Sequence, residues 1–416
     1  MTKTTLTNRT KLWRTPAALM LATVLLAGIA ATSIAQAQTY SILYTFKGGT
    51  DGGRADGSLI VDMGGNLYGS TELGGAHDFG TVFRVDSTGK ETVLYSFTGT
   101  PDGYYPWSSL VGFAGDLYGT TWKGGAFGYG TIFKVNTKTG TETVLYSFTG
   151  AADGGNPFAG LVRNVAGNFY GAAYGGGDLT CDAPQGCGTL FKLDASGTFS
   201  VVHTFAGYAG DDGAQPYAGL IQDAAGNLYG TSLEGGYPFN AGTVFKVDTS
   251  GNETVLYRFT GGNDGTAPYG GLVRDEAGNL YGTTLYGGNS GTVCQYGNSC
   301  GVVFKLDTFA NQTVLYSFTG GRDGGNPYGG LARGPKGDFY GTTLLGGDLL
   351  CNAPYGCGTV FKVDATGNET VAHRFMGSGG DGSYAYTGLV RDKTGNLYGT
   401  AAGGADGFGV VFKLSH

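Results

Sequence analysis

The chain has 416 residues, with 25 basic and 32 acidic side chains and only 14% charged residues. That acidic balance lacks the basic footprint that nucleic acids and anionic membranes require, so neither is expected as a partner. Glycine is extreme at 82 residues, yet aromatic residues reach 13%, an apolar load that disordered Gly-rich chains lack.

Residues 1–37 read as a signal peptide. Lys3, Arg9, Lys11 and Arg14 make a basic start without an acidic residue, an apolar stretch runs from about Ala17 to Ala30, and Ala35-Gln36-Ala37 fits a small-residue cleavage site. Gln38 is then the first mature residue. An uncleaved anchor is the rival, but the apolar core is short for a span. The four basic residues leave with the leader, so the mature chain has 21 basic against 32 acidic residues, a balance of −11. No second apolar run of spanning length follows, so no transmembrane segment is expected in the mature chain.

From residue 41 onward four phrases recur in fixed order, seven times each. A GLV-like phrase is marked by Leu59, Leu110, Leu161, Leu220, Leu272, Leu331 and Leu389. An NLYG-like phrase carries Tyr68, Tyr118, Tyr170, Tyr229, Tyr281, Tyr340 and Tyr398. A GTVFKV-like phrase carries Phe83, Phe133, Phe191, Phe245, Phe304, Phe361 and Phe412, and an ETVLYSF-like phrase carries Phe46, Phe97, Phe148, Phe205, Phe259, Phe318 and Phe375. The Tyr-to-Tyr spacing runs from 50 to 59 residues, within reach of a propeller blade or another repeat unit.

Each phrase is short, rich in β-branched and aromatic residues, and bounded by Gly, Asp or Asn, as strands are. Links such as Asp223-Ala-Ala-Gly-Asn227 and Asp248-Thr-Ser-Gly-Asn252 suit tight hairpins. No sustained helical period occurs, so helices should be absent or minor. Four antiparallel strands per repeat, labelled A to D, predict an all-β, seven-bladed β-propeller over residues 38–416. The phrase at 41–46 is a D strand without its own blade, and the last repeat stops after its C strand at Phe412. Residues 41–46 should therefore complete the last blade beside residues 409–414 and close the ring, removing the free edges of an open solenoid or sandwich. The repeated Tyr and Phe are expected to stack between blades, and the Gly after each Tyr to allow close backbone approach.

The phrases GNLYGTT, GG, GTVFKVD, ETVLYSFTG and DGxxPY-GLV together resemble the GloVer tandem repeat of secreted bacterial proteins, across roughly residues 41–414. The GLxxDxxGNLY phrasing is also similar, more loosely, to NHL and gluconolactonase-like propellers. The resemblance implies export and a propeller-like repeat, and brings no activity with it. The metal-binding acidic set of lactonase-like propellers finds no residue-by-residue match.

The six cysteines fall into three local pairs, Cys181 with Cys187, Cys294 with Cys300 and Cys351 with Cys357, each inside a B–C loop. In these repeats the Gly of LYG and the Gly of GTVF lie 17, 19 and 17 residues apart, against 10 to 12 elsewhere. An even count in inserted loops of an exported chain predicts three local disulfides. No His lies near them, so zinc is not expected, and no metal or cofactor is assigned.

In an up-and-down blade the B–C and D–A connections share one face and the tight A–B and C–D turns the other. Binding favours loops on a rigid scaffold, which points to the B–C/D–A face. Asp51, Asp102, Asp153, Asp212, Asp264, Asp323 and Asp381 each precede Gly in the D–A connection. Five residues later come Asp56, Trp107, Phe158, Tyr217, Tyr269, Tyr328 and Tyr386. One reading is an Asx-type turn followed by an aromatic that lids the blade interface. The other is a ring of aromatic platforms suited to sugars or a peptide, extended by Trp122, Tyr174, Tyr237 and Tyr286 from the B–C loops. Calcium at the Asp ring is a weak option. Arg163, Arg274, Arg333 and Arg391 could ring the channel, or pair with Asp223, Asp275 and Asp392 at its tight-turn end.

His203 and His373 replace the D-strand Tyr and should lie far from the channel. Glu72, His77 and Asp78 form the one local acid/His cluster, a weak catalytic signal. No nucleophile elbow, HExxH, P-loop or dinucleotide motif is present. Two functions remain. The first is an extracytoplasmic scaffold binding a glycan or extracellular protein on the loop face. The second is a channel-centred hydrolase or lyase, metal-dependent or not.

Overall fold

Strand-sized phrases separated by tight turns can bury their aromatic faces only by stacking sheet against sheet. A computed structural model describes residues 38–288, 294, 299–377 and 380–415; the expected leader at 1–37 lies outside them. It is a seven-bladed β-propeller of four-stranded antiparallel blades. Blade 1 has strands A (Ile60–Val61), B (Leu67–Thr71), C (Thr81–Val85) and D (Glu91–Ser96). The same order recurs through residues 111–147, 162–204, 221–258, 273–317 and 332–374. Blade 7 has Val390–Arg391, Leu397–Ala401 and Val410–Ser415, and its D strand is Thr39–Thr45. Thr39 pairs with Ser415, Ile42 with Phe412 and Thr45 with Val410, with a bulge between Ile42 and Tyr44. The ring is closed as the repeat order requires. Among the described residues the one helical turn is a 3-10 segment, Tyr208–Gly210.

The seams between blades are aromatic. Every C-strand and D-strand Phe of the repeat is fully buried. Each D-strand Phe meets the C-strand Phe of the next blade edge to face: Phe46 with Phe83, Phe148 with Phe191, Phe259 with Phe304 and so on, at ring-centre distances from 5.0 to 5.6 Å. Such pairs add about 0.5–1.5 kcal/mol beyond area burial. The Gly after each B-strand Tyr makes room for that Phe rather than for a backbone. A Cβ on Gly230 would lie 2.6 Å from the Phe245 ring and 2.8 Å from Leu220. Gly230→Ala is therefore expected to cost about 2 kcal/mol through overpacking, read as a lower melting temperature; an unchanged melt would refute this packing.

The tight turns consume their own aspartates. Asp223 accepts hydrogen bonds from Asn227 N (2.9 Å), Asn227 Nδ2 (2.8 Å) and Tyr229 OH (3.0 Å). Asp62, Asp275 and Asp392 are engaged in the same way. The pairing of channel arginines with these aspartates therefore does not form, because the carboxylate oxygens are already taken. Arg163 lies 3.4 Å from the Phe113 ring centre instead, Arg274 lies over Tyr229, and Arg333 reaches Glu276 at 3.8 Å.

The Asp-Gly aspartates are structural as well. Asp153 accepts from Tyr146 OH and Thr149 N, both at 2.9 Å, fastening the D–A connection to the outer strand. Asp51, Asp102, Asp264 and Asp323 repeat this. In blades 3 and 6 a histidine takes the tyrosine's place, with Nε2 of His203 3.1 Å from Asp212 and Nε2 of His373 3.2 Å from Asp381. The oxygens of these aspartates thus fasten the D–A turns.

A candidate ligand site at the mouth of the channel

The D–A connections enter the mouth through an uncommon backbone conformation. Two residues before each ring position stands a non-glycine residue with positive φ: Arg54, Tyr105, Asn156, Gln215, Ala267, Asn326 and Tyr384, with φ between 49° and 58°. Left-handed backbone costs such residues on the order of 1 kcal/mol or more and persists only where the surroundings impose it. Here each N–H donates to a carbonyl of the preceding blade, as Arg54 does to Phe408 (2.8 Å) and Asn156 to Tyr129 (2.7 Å). The three cysteine pairs form the expected disulfides. Their second cysteines supply three of these acceptors: Gln215 bonds Cys187 O at 2.8 Å, Asn326 bonds Cys300 O at 2.7 Å and Tyr384 bonds Cys357 O at 2.9 Å. Each staple thus anchors the left-handed residue two positions before the ring position of the next blade.

All seven ring positions line one hollow of about 200 Å³, above a collar of small residues that includes Gly219, Gly271 and Gly330. Asp56, Trp107, Phe158, Tyr217, Tyr269, Tyr328 and Tyr386 come together on the axis, so the aromatics do not lid the blade interfaces. Nor are they open platforms. Trp107 stacks on Phe158 at 4.9 Å, Phe158 on Tyr217 at 4.6 Å, and Tyr269 tilts against Tyr328 at 4.7 Å. Tyr328 OH donates to Tyr217 OH at 2.7 Å. Burial pushes both phenols far above their ordinary value, so they remain protonated donors. The rings form a hub in which neighbouring rings cover much of one another's faces.

Two further hollows flank the hub. One, of about 230 Å³, brings Trp122, Asn156, Tyr174 and Gln185 beside Phe158, Tyr217 and Tyr269. Trp122 backs it by stacking on Trp107 at 4.9 Å, and Tyr174 OH donates to Gln215 Oε1 at 2.8 Å. The other, of about 370 Å³, places Tyr286, Asn326, Asn352 and Tyr384 beside Tyr269, Tyr328 and Tyr386. Tyr269 lines all three hollows. Tyr237 stays outside them, 58% exposed and against Tyr208.

Blade 1 breaks the pattern at three places on this face. Arg54, Asp56 and Glu72 stand where the other repeats carry uncharged residues. Arg54 reaches Asp56 at 3.2 Å and Glu72 at 2.8 Å. Burial pushes the Asp56 carboxyl up against the pull of Arg54. Burial, with the charge of Asp56, pushes Glu72 up to about 7. Two carboxyls this close do not readily ionise together, which favours a shared proton over two full charges. The Glu72–His77–Asp78 cluster does not assemble. Glu72 turns to Arg54, Asp78 accepts from Gly74 N at 2.9 Å, and His77 is exposed. The triad was readable in register, since each member departs from its six counterparts. Nearness in sequence pointed to His77 instead.

Among the described residues no group of three or more His, Cys, Asp or Glu side chains could hold a metal ion, and no helix is long and apolar enough to cross a membrane.

Fold and mouth together define a closed repeat propeller with an aromatic hub. The chain belongs to the Gloeobacter/Verrucomicrobia repeat family, whose model matches residues 30–223 and 292–416. A comparison with curated proteins finds no match. Solved structures share the fold. The extracellular domain of a protein described as a hybrid two-component system from B. thetaiotaomicron aligns at 12% identity and TM-score 0.57, over 91% of this chain and 42% of that one. A second, the extracellular domain of a protein described as a one-component system of the same organism, aligns at 10% identity and TM-score 0.55, over 90% of this chain and 40% of that one. The chain thus spans less than half the length of either.

Proposed function

We propose that this protein is an extracytoplasmic recognition propeller that binds a glycan at the hub of its loop face. The observation that carries the reading is the convergence of six aromatic side chains and one carboxyl, from seven blades, on a single hollow. Aromatic surface with a few directed polar groups is the usual make-up of a small-ligand site, and phenol edges with amides suit sugar hydroxyls. Three disulfides fit an oxidising compartment, and the propellers it resembles are described as extracellular domains.

Tyr269 borders every hollow, so Tyr269→Ala is expected to weaken retention on a bound glycan at least tenfold while the protein still folds. Trp107→Ala should weaken it less. A glycan array with the wild-type protein, followed by affinity measurements on both variants, tests this. Binding that survives Tyr269→Ala would move the site off the hub.

A second reading rests on the triad. A carboxyl that holds its proton near neutral pH beside a second carboxyl and a guanidinium is equipped for general acid catalysis, as a channel-centred hydrolase or lyase needs. Incubating the array's best ligand with the protein and analysing the products separates the two: cleavage lost in Glu72→Gln favours catalysis, and intact ligand favours recognition.

A further inference from the structure

The three hollows are neighbours. Phe158 and Tyr217 line both the first flanking hollow and the centre, Tyr328 and Tyr386 line both the centre and the second, and Tyr269 lines all three. The residues that the centre shares with each flank are all aromatic. Each flanking hollow ends on a stapled loop, at Gln185 within Cys181–Cys187 and at Asn352 within Cys351–Cys357.

Beside the tyrosine hydroxyls, the polar side chains in the flanks are mostly carboxamides. Asn156 and Gln185 serve one side, Asn326 and Asn352 the other. None carries a carboxylate, and Lys123 is the single charged side chain that lines either flank. Asn326 is 3% exposed. Its Nδ2 donates to Leu285 O at 2.9 Å, while its Oδ1 is buried without a hydrogen-bond partner. A buried amide oxygen left unpaired costs about 1–3 kcal/mol. Asn326 also lines the second flanking hollow, so a small turn of its amide would offer that oxygen to a hydroxyl there. At the centre, the Arg54 guanidinium is engaged by the Asp56 and Glu72 carboxyls, so the charges there face one another. Neutral amides and phenols between aromatic edges match the hydroxyls and apolar faces of uncharged sugars.

We propose that the mouth is an extended site with three subsites, which takes a linear, uncharged oligosaccharide of at least three units across the two flanks and the centre. The proposal rests on the glycan reading above and adds its length and charge. A peptide is disfavoured because the strand edges that face the channel belong to the A strands, which are only two or three residues long and too short a template for its backbone.

The test is calorimetric titration of the protein with size series of one to six units from cello-, xylo-, malto-, manno- and chito-oligosaccharides, with the corresponding oligouronates as the anionic comparison. In at least one neutral series, affinity should rise tenfold or more from one unit to three and level off thereafter. Gln185→Ala and Asn326→Gly, the latter keeping the left-handed backbone, should each weaken the trimer three- to tenfold. Thermal melts confirm that both variants fold. A monosaccharide that binds as tightly as its trimer overturns the extended site and leaves the glycan reading intact. Oligouronates that bind more tightly than every neutral series overturn the charge assignment. No binding in any series, with capture of an unstructured peptide library, overturns both readings.

Discussion

A protein lacking residues 38–46 is expected to lose its cooperative thermal transition and to self-associate. Those residues are the D strand of blade 7. Without them Val410–Ser415 becomes an open edge, which invites pairing with another chain, and the Phe46–Phe83 contact at the seam with blade 1 disappears. Phe46→Ala alone removes one fully buried ring and should cost about 3–5 kcal/mol. Moving residues 38–46 to follow Ser415 through a five-residue turn copied from Asp364–Asn368 should restore monomer and melt, because the strand then enters the same register as a hairpin. Size-exclusion chromatography with calorimetry reads the outcome. A truncated chain that stays monomeric and melts like the parent would contradict closure as the source of cohesion.

Acidification from pH 8 to pH 5 is expected to raise the melting temperature by about 5 °C, given about 1 kcal/mol for each of several half-buried carboxyls after allowance for solvent. Burial, together with an Asp-Gly aspartate across the blade seam, pushes Glu91, Glu142 and Glu369 up to about 7 and Glu253 up to about 8. In each, Oε1 is buried without a partner. A carboxyl whose pKa is higher folded than unfolded stabilises fully below its unfolded pKa, near 4.5, and loses that contribution as pH rises through 7 to 8. The turn aspartates act oppositely. Hydrogen bonds hold Asp392 down to about 2, so their contribution vanishes only as pH falls below about 4. Gln312 already occupies the equivalent place in blade 5, where Nε2 donates to Asp264 O at 3.2 Å. Replacing Glu91, Glu142 and Glu369 by Gln should flatten the profile and stabilise the protein at pH 8. A melting temperature that does not move between pH 5 and 8 in the parent protein would refute the account.

The architecture was legible because it is written seven times. Strand phrases, turn residues, the unpaired D strand at 41–46 and the cysteine spacing all survive comparison between copies, so chance resemblance averages out. The convergence of Trp107, Phe158, Tyr217, Tyr269, Tyr328 and Tyr386 followed from their equivalent places in the repeat. What the rings do once there did not follow. Their mutual stacking depends on rotamers and on contacts between blades 4 and 6, such as Tyr217 with Tyr328, that no local pattern encodes. The Arg54–Asp56–Glu72 triad was missed because its members lie up to 18 positions apart and meet only through the D–A connection. The channel arginines were misjudged for the opposite reason. Asp223, Asp275 and Asp392 looked available in sequence, but their own turns had already saturated them.

The backbone bonds that pin the left-handed residues also bear on how such a molecule changes over generations. Every repeat offers one acceptor to its successor and sends one donor to its predecessor, so the junctions are identical in kind around the ring. Duplicating or losing one whole repeat, cut at equivalent points, would leave every donor matched, whereas a cut within the D–A connection would strand one on each side. Copy number can therefore drift in whole units, and single copies can acquire odd residues, as blade 1 has, without disturbing the joints that hold the rest.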